Sequence, residues 1–114
     1  MTSGQHTIIT PVRDLAAAKA VYTKLLGVEP SADEAYYVGY DVAGQHFGLN
    51  PAGHQQGMTG PVGYWTVDDI QGMVASLVES GAEVVQDVTE VGPGRRIASL
   101  KDADGNVFGL LQDG

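Results

Sequence analysis

The chain contains no cysteine and only six lysine and arginine residues among its 114 positions. The absence of cysteine excludes disulfides, thiol nucleophiles and thiolate metal sites, and it fits a reducing compartment. Fourteen aspartate and glutamate residues give a formal net charge of −8, which argues against binding to nucleic acid or to an anionic membrane. No apolar run approaches the ~18 residues that a membrane-spanning helix requires.

The N-terminal residues MTSGQHTIITPV lack the basic region and apolar core of a secretory signal, so we expect a cytoplasmic protein. The length suits one compact domain, and a hydrophobic content of 43% is sufficient for a core. Glycine is abundant, at 16 residues, about twice its average usage of roughly 7%. Without a repeating Gly-X-Y period, these glycines indicate turns, helix ends and places where side chains must be absent.

Two segments show the apolar spacing of amphipathic helices. The first has Asp14 as N-cap and ends at Gly27, and the second begins at Asp68 or Asp69 and ends at Gly81. The positions predicted to face the core are Leu15, Ala18, Tyr22 and Leu25 in the first helix and Ile70, Met73, Val74 and Leu77 in the second.

Short strand-like runs precede and follow each helix. In the first half the predicted strands are 7–12, 34–42 and 45–50, with a weaker one near 28–31. In the second half they are 62–67, 82–88, 95–102 and 106–112. The order β-α-β-β-β therefore occurs twice.

The two halves also match each other in sequence. Residues 12–22 match residues 67–77 at an offset of 55, and 44–53 match 105–114 at an offset of 61. Chance similarity in a glycine-rich chain is the alternative, but a duplicated unit explains both offsets. Pro61 would then lie at a hinge between the halves.

Three motifs resemble those of the vicinal oxygen chelate superfamily, which includes glyoxalase I, bleomycin-resistance proteins and extradiol dioxygenases. They are PVRDL before the first helix, VDDI before the second, and the terminal KDADGNVFGLLQ. The resemblance covers essentially the whole chain and implies an α+β fold. Residues 1–114 would form one glyoxalase-like domain of two tandem βαβββ modules, at about 5–53 and 61–114, related by a pseudo-twofold axis. The mixed sheets of such proteins curl into a cup that usually holds a divalent metal, and members of this length are commonly homodimers.

Strand alternation predicts which side chains would line the cup. Phe47, Trp65 and Phe108 are expected to pack under the helices. The opposite face supplies the predicted ligand-binding residues, which are Thr7, His46, Gly48, Asn50, Val62, Tyr64, Thr66 and Gly109. Gly48 and Gly109 would leave space for a small molecule. The alternative is that Tyr36, Tyr37 and Tyr40 fill the cup.

In metal-dependent relatives, His and Glu ligands come from four strands. The matching positions here are Thr7, Gly48, Val62 and Gly109. None of these residue types is a ligand that a divalent-metal site would use. We therefore expect no cofactor, with a divalent metal held by other residues as the alternative.

The three histidines differ in how well each could act as a metal ligand or a catalytic residue. His46 shares a face with Gly48 and could be a general base, a lone metal ligand or simply a hydrogen-bonded residue. His6 would become a ligand only if its strand slipped by one residue, which reverses every side chain. His54 lies in the loop PAGHQQG and is expected to be solvent-exposed.

Arg95 and Arg96 follow Gly92-Pro93-Gly94 and make up a third of the basic residues. They could bind a carboxylate or phosphate, or they could lie on the surface and form ion pairs with Asp87 and Glu90.

Two functions are consistent with these features. The first is favoured because none of the four predicted metal positions has a side chain that would bind a metal. The first is a metal-free protein that binds a small apolar or aromatic molecule in the cup, similar to the bleomycin-resistance branch. The second is a lyase, isomerase or dioxygenase of the same superfamily with an altered site, in which His46 and Tyr64 perform acid–base chemistry. The sequence does not identify the ligand.

Overall fold

Two α-helices lie where the apolar spacing predicts them. The computed structural model describes residues 2–114, with α1 at Leu15–Leu26 and α2 at Ile70–Glu79. Asp14 and Asp69 are the N-caps, and each carboxylate accepts a hydrogen bond from the backbone N–H three residues later, at 3.0 and 3.1 Å. Gly27 ends α1 in the left-handed conformation, with φ of 72°. Within residues 2–114, neither helix has the length and apolarity needed to cross a membrane.

The strands confirm an α+β fold. They are β1 (Thr2–Pro11), β2 (Ala32–Glu34), β3 (Tyr37–Val42), β4 (Gln45–Asn50), β5 (Val62–Val67), β6 (Glu83–Glu90), β7 (Arg95–Lys101) and β8 (Val107–Asp113). A 3-10 turn at His54–Gln56 follows β4.

The predicted strand at 34–42 is wrong in one respect, because it is interrupted by a turn. β2 and β3 pair as an antiparallel hairpin in which Glu34 lies opposite Tyr37. Tyr36 therefore lies in the turn and is 73% exposed. The weaker strand expected near 28–31 begins instead at Ala32.

The chain forms two compact units. One is His6–Val62, with the strand order β2-β3-β4-β1, in which β1 and β4 are parallel and the other pairs antiparallel. The other contains Gly63–Gly114 with residues 2–5, and its strand order is β5-β8-β7-β6 with β5 and β8 parallel. The pseudo-twofold axis and the cup stay predictions.

The core of the His6–Val62 unit lies between α1 and one face of its sheet. Val38, Tyr40 and Leu49 are fully buried there, and Phe47 packs against them as predicted. From α1 the contacting residues are Leu15, Ala18, Tyr22 and Leu26. The expected Leu25 is wrong, since it is 70% exposed. A helix has 3.6 residues per turn, so Leu26, four residues after Tyr22, stays closer to the buried face.

The core of the second unit is built around α2 in the same way. Val67, Ile70, Ala98, Leu100 and Leu110 are buried. The predicted Met73, Val74, Leu77 and Phe108 all pack against this cluster. Trp65 does not, and it is 40% exposed. Alternation predicts which face of the sheet a strand residue lies on, but not how much of that face a ten-residue helix covers. Val67, two residues after Trp65 on the same face, is the residue that packs in the core.

Tyr40 joins α1 to β3 by hydrogen bonds from inside the core. Its hydroxyl lies 2.8 Å from Thr23 Oγ1 and donates to the Lys19 carbonyl at 3.2 Å. Tyr40→Phe should lower the free energy of unfolding by about 1 kcal/mol, because buried polar partners lose their hydrogen bonds. Urea denaturation measures this loss. Tyr22→Phe is the matched control, since that hydroxyl forms no hydrogen bond within residues 2–114, and an equal loss in both variants would contradict the prediction.

Candidate functional site

A tight hairpin between β3 and β4 sets the positions of the polar side chains in the His6–Val62 unit. Ala43 and Gly44 close it, and both have positive φ, 52° and 79°. Two such residues in a two-residue loop form the turn type whose twist suits a hairpin. The resulting register places Asp41 opposite His46. Both project from the sheet face that α1 does not cover, because Tyr40 lies in the core.

Four side chains on this face form one chain of hydrogen bonds. Tyr37 Oη lies 2.5 Å from His46 Nε2, and His46 Nδ1 lies 2.8 Å from Asp41 Oδ1. Ser31 Oγ donates to Asp41 Oδ2 at 2.7 Å. The imidazole is thus held at both ring nitrogens, between a phenol and a carboxylate.

The charge on Asp41 fixes the direction of this chain. The hydrogen bond from His46, and next that from Ser31, lower the pKa of the Asp41 carboxyl. An ionised carboxylate only accepts hydrogen bonds, so His46 Nδ1 must donate to it. In the neutral imidazole Nε2 then carries the lone pair, and the Tyr37 hydroxyl donates to it.

His46 and Ser31 both lower the pKa of Asp41, and His46 has the larger effect. Removing His46 should therefore change this pKa more than removing the Ser31 hydroxyl does. Stability from this depressed pKa is present above the ordinary value of about 3.9 and is lost as the pH falls through the folded-state value. Because the Asp41 side chain is 66% exposed, the contribution to stability is small and the titration is the better measurement. In carbon-detected NMR, removing His46 should raise the Asp41 midpoint more than Ser31→Ala does. An equal or larger rise with Ser31→Ala would contradict this assignment.

Tyr37 lies over two glycines on neighbouring strands, Gly39 and Gly48, which are opposite each other in the register. A Cβ at Gly48 would lie 2.6 Å from Tyr37 Cζ, and one at Gly39 would lie 2.8 Å from Tyr37 Cε2. The expected open space at Gly48 is therefore wrong, because the ring occupies it. Of the three tyrosines weighed as filling, Tyr36 is exposed and Tyr40 lies in the core.

The other predicted ligand-binding residues of this unit divide into two groups. Thr7 is buried and lies opposite His46 in the parallel β1–β4 register, so it adjoins the hydrogen-bonded chain. Asn50 instead orders the following loop, because its Oδ1 accepts from the Ala52 N–H and its Nδ2 donates to Gln56 Oε1, both at 3.0 Å. Val62, at the end of the unit, is 3% exposed.

The second unit contains another tyrosine over a glycine. Tyr64 lies opposite Gly109 in the β5–β8 register, and a Cβ at Gly109 would lie 2.7 Å from Tyr64 Cγ. The expected space at Gly109 is therefore also occupied. Tyr64 is 5% exposed, and burial raises the pKa of its phenol. Thr66 lies opposite Leu111 and is half-buried.

The remaining histidines lie outside this arrangement. His6 is exposed near the middle of β1. His54 differs from its expected exposure, since it is half-buried and its Nδ1 is a buried atom without a hydrogen-bond partner among the described residues. The reason is local: the loop PAGHQQG coils into a 3-10 turn rather than extending into solvent.

Arg96 lies opposite Glu90 in the β6–β7 register, whereas Arg95 pairs with Asp113. Its Nε and Nη2 donate to the two carboxylate oxygens of Asp113 at 2.7 and 3.2 Å. β7 and β8 are antiparallel with Arg95 opposite Asp113, so the register brings this pair together.

The side chains at the positions that the resemblance predicts for metal ligands do not fit a divalent metal. Gly48 and Gly109 lack side chains and are covered by Tyr37 and Tyr64, and Val62 is a hydrocarbon. In the part of the chain that the structure describes, no three His, Cys, Asp or Glu side chains gather into a group that could hold a metal ion.

Comparison with known proteins identifies the family of the chain. The sequence model of the Glyoxalase/Bleomycin resistance protein/Dioxygenase superfamily matches residues 4–110. The chain belongs to this superfamily. Among curated proteins, none matches the sequence.

Solved structures share the fold of this glyoxalase-superfamily protein. A superfamily member from Vibrio splendidus 12B01 is 17% identical with a TM-score of 0.72, covering 94% of this chain and 97% of its own. A variant of Streptomyces coelicolor methylmalonyl-CoA epimerase in complex with 2-nitronate-propionyl-CoA is 17% identical with a TM-score of 0.72, covering 100% and 99%. Methylmalonyl-CoA epimerase from Mycobacterium tuberculosis is 19% identical with a TM-score of 0.68, covering 99% and 89%. At these identities the likeness concerns the fold.

Sequence reasoning considered Tyr37 only as a residue that fills the cup, and it did not name Asp41. The signal was available in the two-residue turn Ala43-Gly44. Counting outward from it pairs Asp41 with His46, and alternation puts Tyr37 on the same face.

Proposed function

We propose that this glyoxalase-superfamily protein binds a small aromatic or apolar molecule without a divalent metal. The ligand would contact the face of β3 and β4 that carries Tyr37. The observation behind this proposal is the half-buried Tyr37 ring over Gly39 and Gly48, within 17° of parallel to the His46 ring at a centroid distance of 6.0 Å. The Tyr37 ring is an aromatic surface beside fixed polar groups, and aromatic rings favour aromatic partners.

The net charge narrows the choice of ligand. A net charge of −8 with only six basic residues disfavours the approach of an anion. The Streptomyces epimerase complex contains 2-nitronate-propionyl-CoA. The phosphates of coenzyme A are anionic, so the negative charge of this chain disfavours a ligand of that kind. We therefore favour a neutral or cationic aromatic molecule.

Binding can be tested with one ring system in three charge states. The probes are 2-naphthol, 2-naphthoate and 2-naphthylmethylammonium, each followed by saturation-transfer NMR with the untagged protein. The neutral and cationic probes should bind more tightly than the anionic one. Tyr37→Ala should weaken binding by about tenfold, the effect of losing one aromatic contact.

Tyr36→Ala is the matched control, since it removes a neighbouring tyrosine that is 73% exposed. It should leave the affinity unchanged. Equal losses in the two variants, or no binding of any probe at millimolar concentration, would contradict the proposal.

A second candidate is an enzyme of the same superfamily with an altered site, such as a lyase or isomerase. The hydrogen-bonded chain through His46 favours it, because a phenol, an imidazole and a carboxylate in series can move a proton. The phenol that contacts His46 is Tyr37, whereas the sequence pattern favours Tyr64.

A further inference from the structure

We propose that Tyr37 is a proton-transfer residue, a phenol that His46 deprotonates and that Asp41 supports through His46. The group it serves would be an oxygen or nitrogen of a bound molecule, or an electrophilic carbon that the phenol oxygen attacks. This inference goes beyond the proposed function and can be tested without its ligand, because the chain of hydrogen bonds lies within the protein itself.

The geometry supplies the elements of an activated phenol. The Tyr37 oxygen and His46 Nε2 are 2.5 Å apart, so the phenol and the imidazole are directly hydrogen-bonded. Asp41 accepts a hydrogen bond from the other ring nitrogen of His46 at 2.8 Å, which orients Nε2 toward the phenol. Ser31 in turn fixes Asp41, which leaves the imidazole one tautomer that accepts the phenolic proton.

The site is also accessible. Tyr37 is half-buried, and 25% of the His46 side chain is exposed. Gly39 and Gly48 let the ring lie against the backbone, where any side chain would displace it. Two glycines opposite each other in a sheet weaken it, so their use here is explained by the ring that they admit.

The adjacent Tyr36 is a comparator inside the same chain. It lies in the turn before β3 and is 73% exposed. A reagent that modifies tyrosines according to exposure alone would choose Tyr36 over Tyr37. A reagent that depends on loss of the phenolic proton would choose Tyr37.

Acetylation with N-acetylimidazole tests this choice. The Tyr37 oxygen bonds to the acetyl carbon as the bond from that carbon to imidazole breaks; the phenolic proton passes to His46 Nε2, and the departing imidazole takes a proton from water. Rates at each tyrosine are read by peptide mass spectrometry at pH 7.5. We expect Tyr37 to react at least about tenfold faster than Tyr36, a modest share of the 10²–10⁴ that general-base catalysis provides.

His46→Gln should lower the Tyr37 rate to that of Tyr36 or below, and Asp41→Asn should lower it partly. Tyr36→Phe is the control that should leave the Tyr37 rate unchanged. Circular dichroism confirms that each variant is folded. Faster reaction at Tyr36 in the native protein, or an unchanged Tyr37 rate in folded His46→Gln, would overturn the inference.

The imidazole tautomer gives a test that needs no variant and no reagent. Nitrogen NMR of the native protein should show a proton on Nδ1 and none on Nε2 when the ring is neutral. Asp41→Asn should change this pattern, because an amide nitrogen facing Nδ1 donates instead of accepting. A native Nε2–H in the neutral ring would refute the direction of transfer even if naphthol binding is observed, so the two proposals fail separately.

Discussion

Gly109→Ala should lower the free energy of unfolding by about 1–3 kcal/mol, the usual cost of forcing an extra group into a packed core. The added Cβ would lie 2.7 Å from Tyr64 Cγ, the atom that joins the ring to its side chain. Rotation of the ring does not move this atom. Tyr64 is also 5% exposed, so the side chain has little space into which to retreat.

Urea denaturation of Gly109→Ala and of Gly60→Ala separates crowding from the general effect of adding a methyl group. Nothing lies within 4 Å of a Cβ at Gly60, and its φ is not in the left-handed region. Gly60→Ala should therefore change stability by less than about 0.5 kcal/mol. In a Tyr64→Ala background the cost of Gly109→Ala should shrink, because the two changes affect one contact. A cost that is unchanged in that background would contradict this explanation.

Gly48→Ala should have the opposite profile, with the fold retained and the site damaged. Here the Cβ would meet the hydroxyl end of Tyr37, including Cζ at 2.6 Å. That end belongs to a half-buried side chain that can swing outward, at the cost of its hydrogen bond to His46. The expected result is a loss of about tenfold in naphthol affinity, comparable to removal of the aromatic contact.

Naphthol titration and urea denaturation of the same Gly48→Ala sample measure both parts of this prediction. The loss of stability should be smaller than that of Gly109→Ala, although both positions exchange a glycine for alanine under a tyrosine. Unchanged affinity in Gly48→Ala would show that the position of Tyr37 does not matter for binding. A loss of stability equal to that of Gly109→Ala would show that Tyr37 cannot move.

The helices could be predicted closely because their signals are local. Asp14 and Asp69 are caps whose side chains bond to the backbone three residues on, and Gly27 ends a helix because it adopts positive φ at no cost. The four apolar positions of α2 follow from helical periodicity alone. The exposed Leu25 shows the limit of periodicity as a predictor of burial. Leu26 is the one that contacts the core, and the position of the sheet under the helix decides which of the two leucines is buried.

The site was harder to predict because it depends on register and on what fills a space. The glycines at 48 and 109 correctly indicated positions without side chains, but the sequence does not say whether a ligand or a tyrosine ring takes the room. The strand pattern puts Tyr37 in the interior of a long strand, whereas a turn at Tyr36 makes it the first residue of β3. Only the path of its side chain across Gly39 and Gly48 shows that its partner is His46.

Our central proposal is that this superfamily member binds its small-molecule ligand without a divalent metal. The most direct test is elemental mass spectrometry of untagged protein purified without chelator. We expect less than about 0.1 divalent metal ion per chain. The reason is that none of the four predicted metal positions, Thr7, Gly48, Val62 and Gly109, has a histidine or carboxylate side chain. One metal per chain, lost together with stability on treatment with chelator, would contradict the proposal.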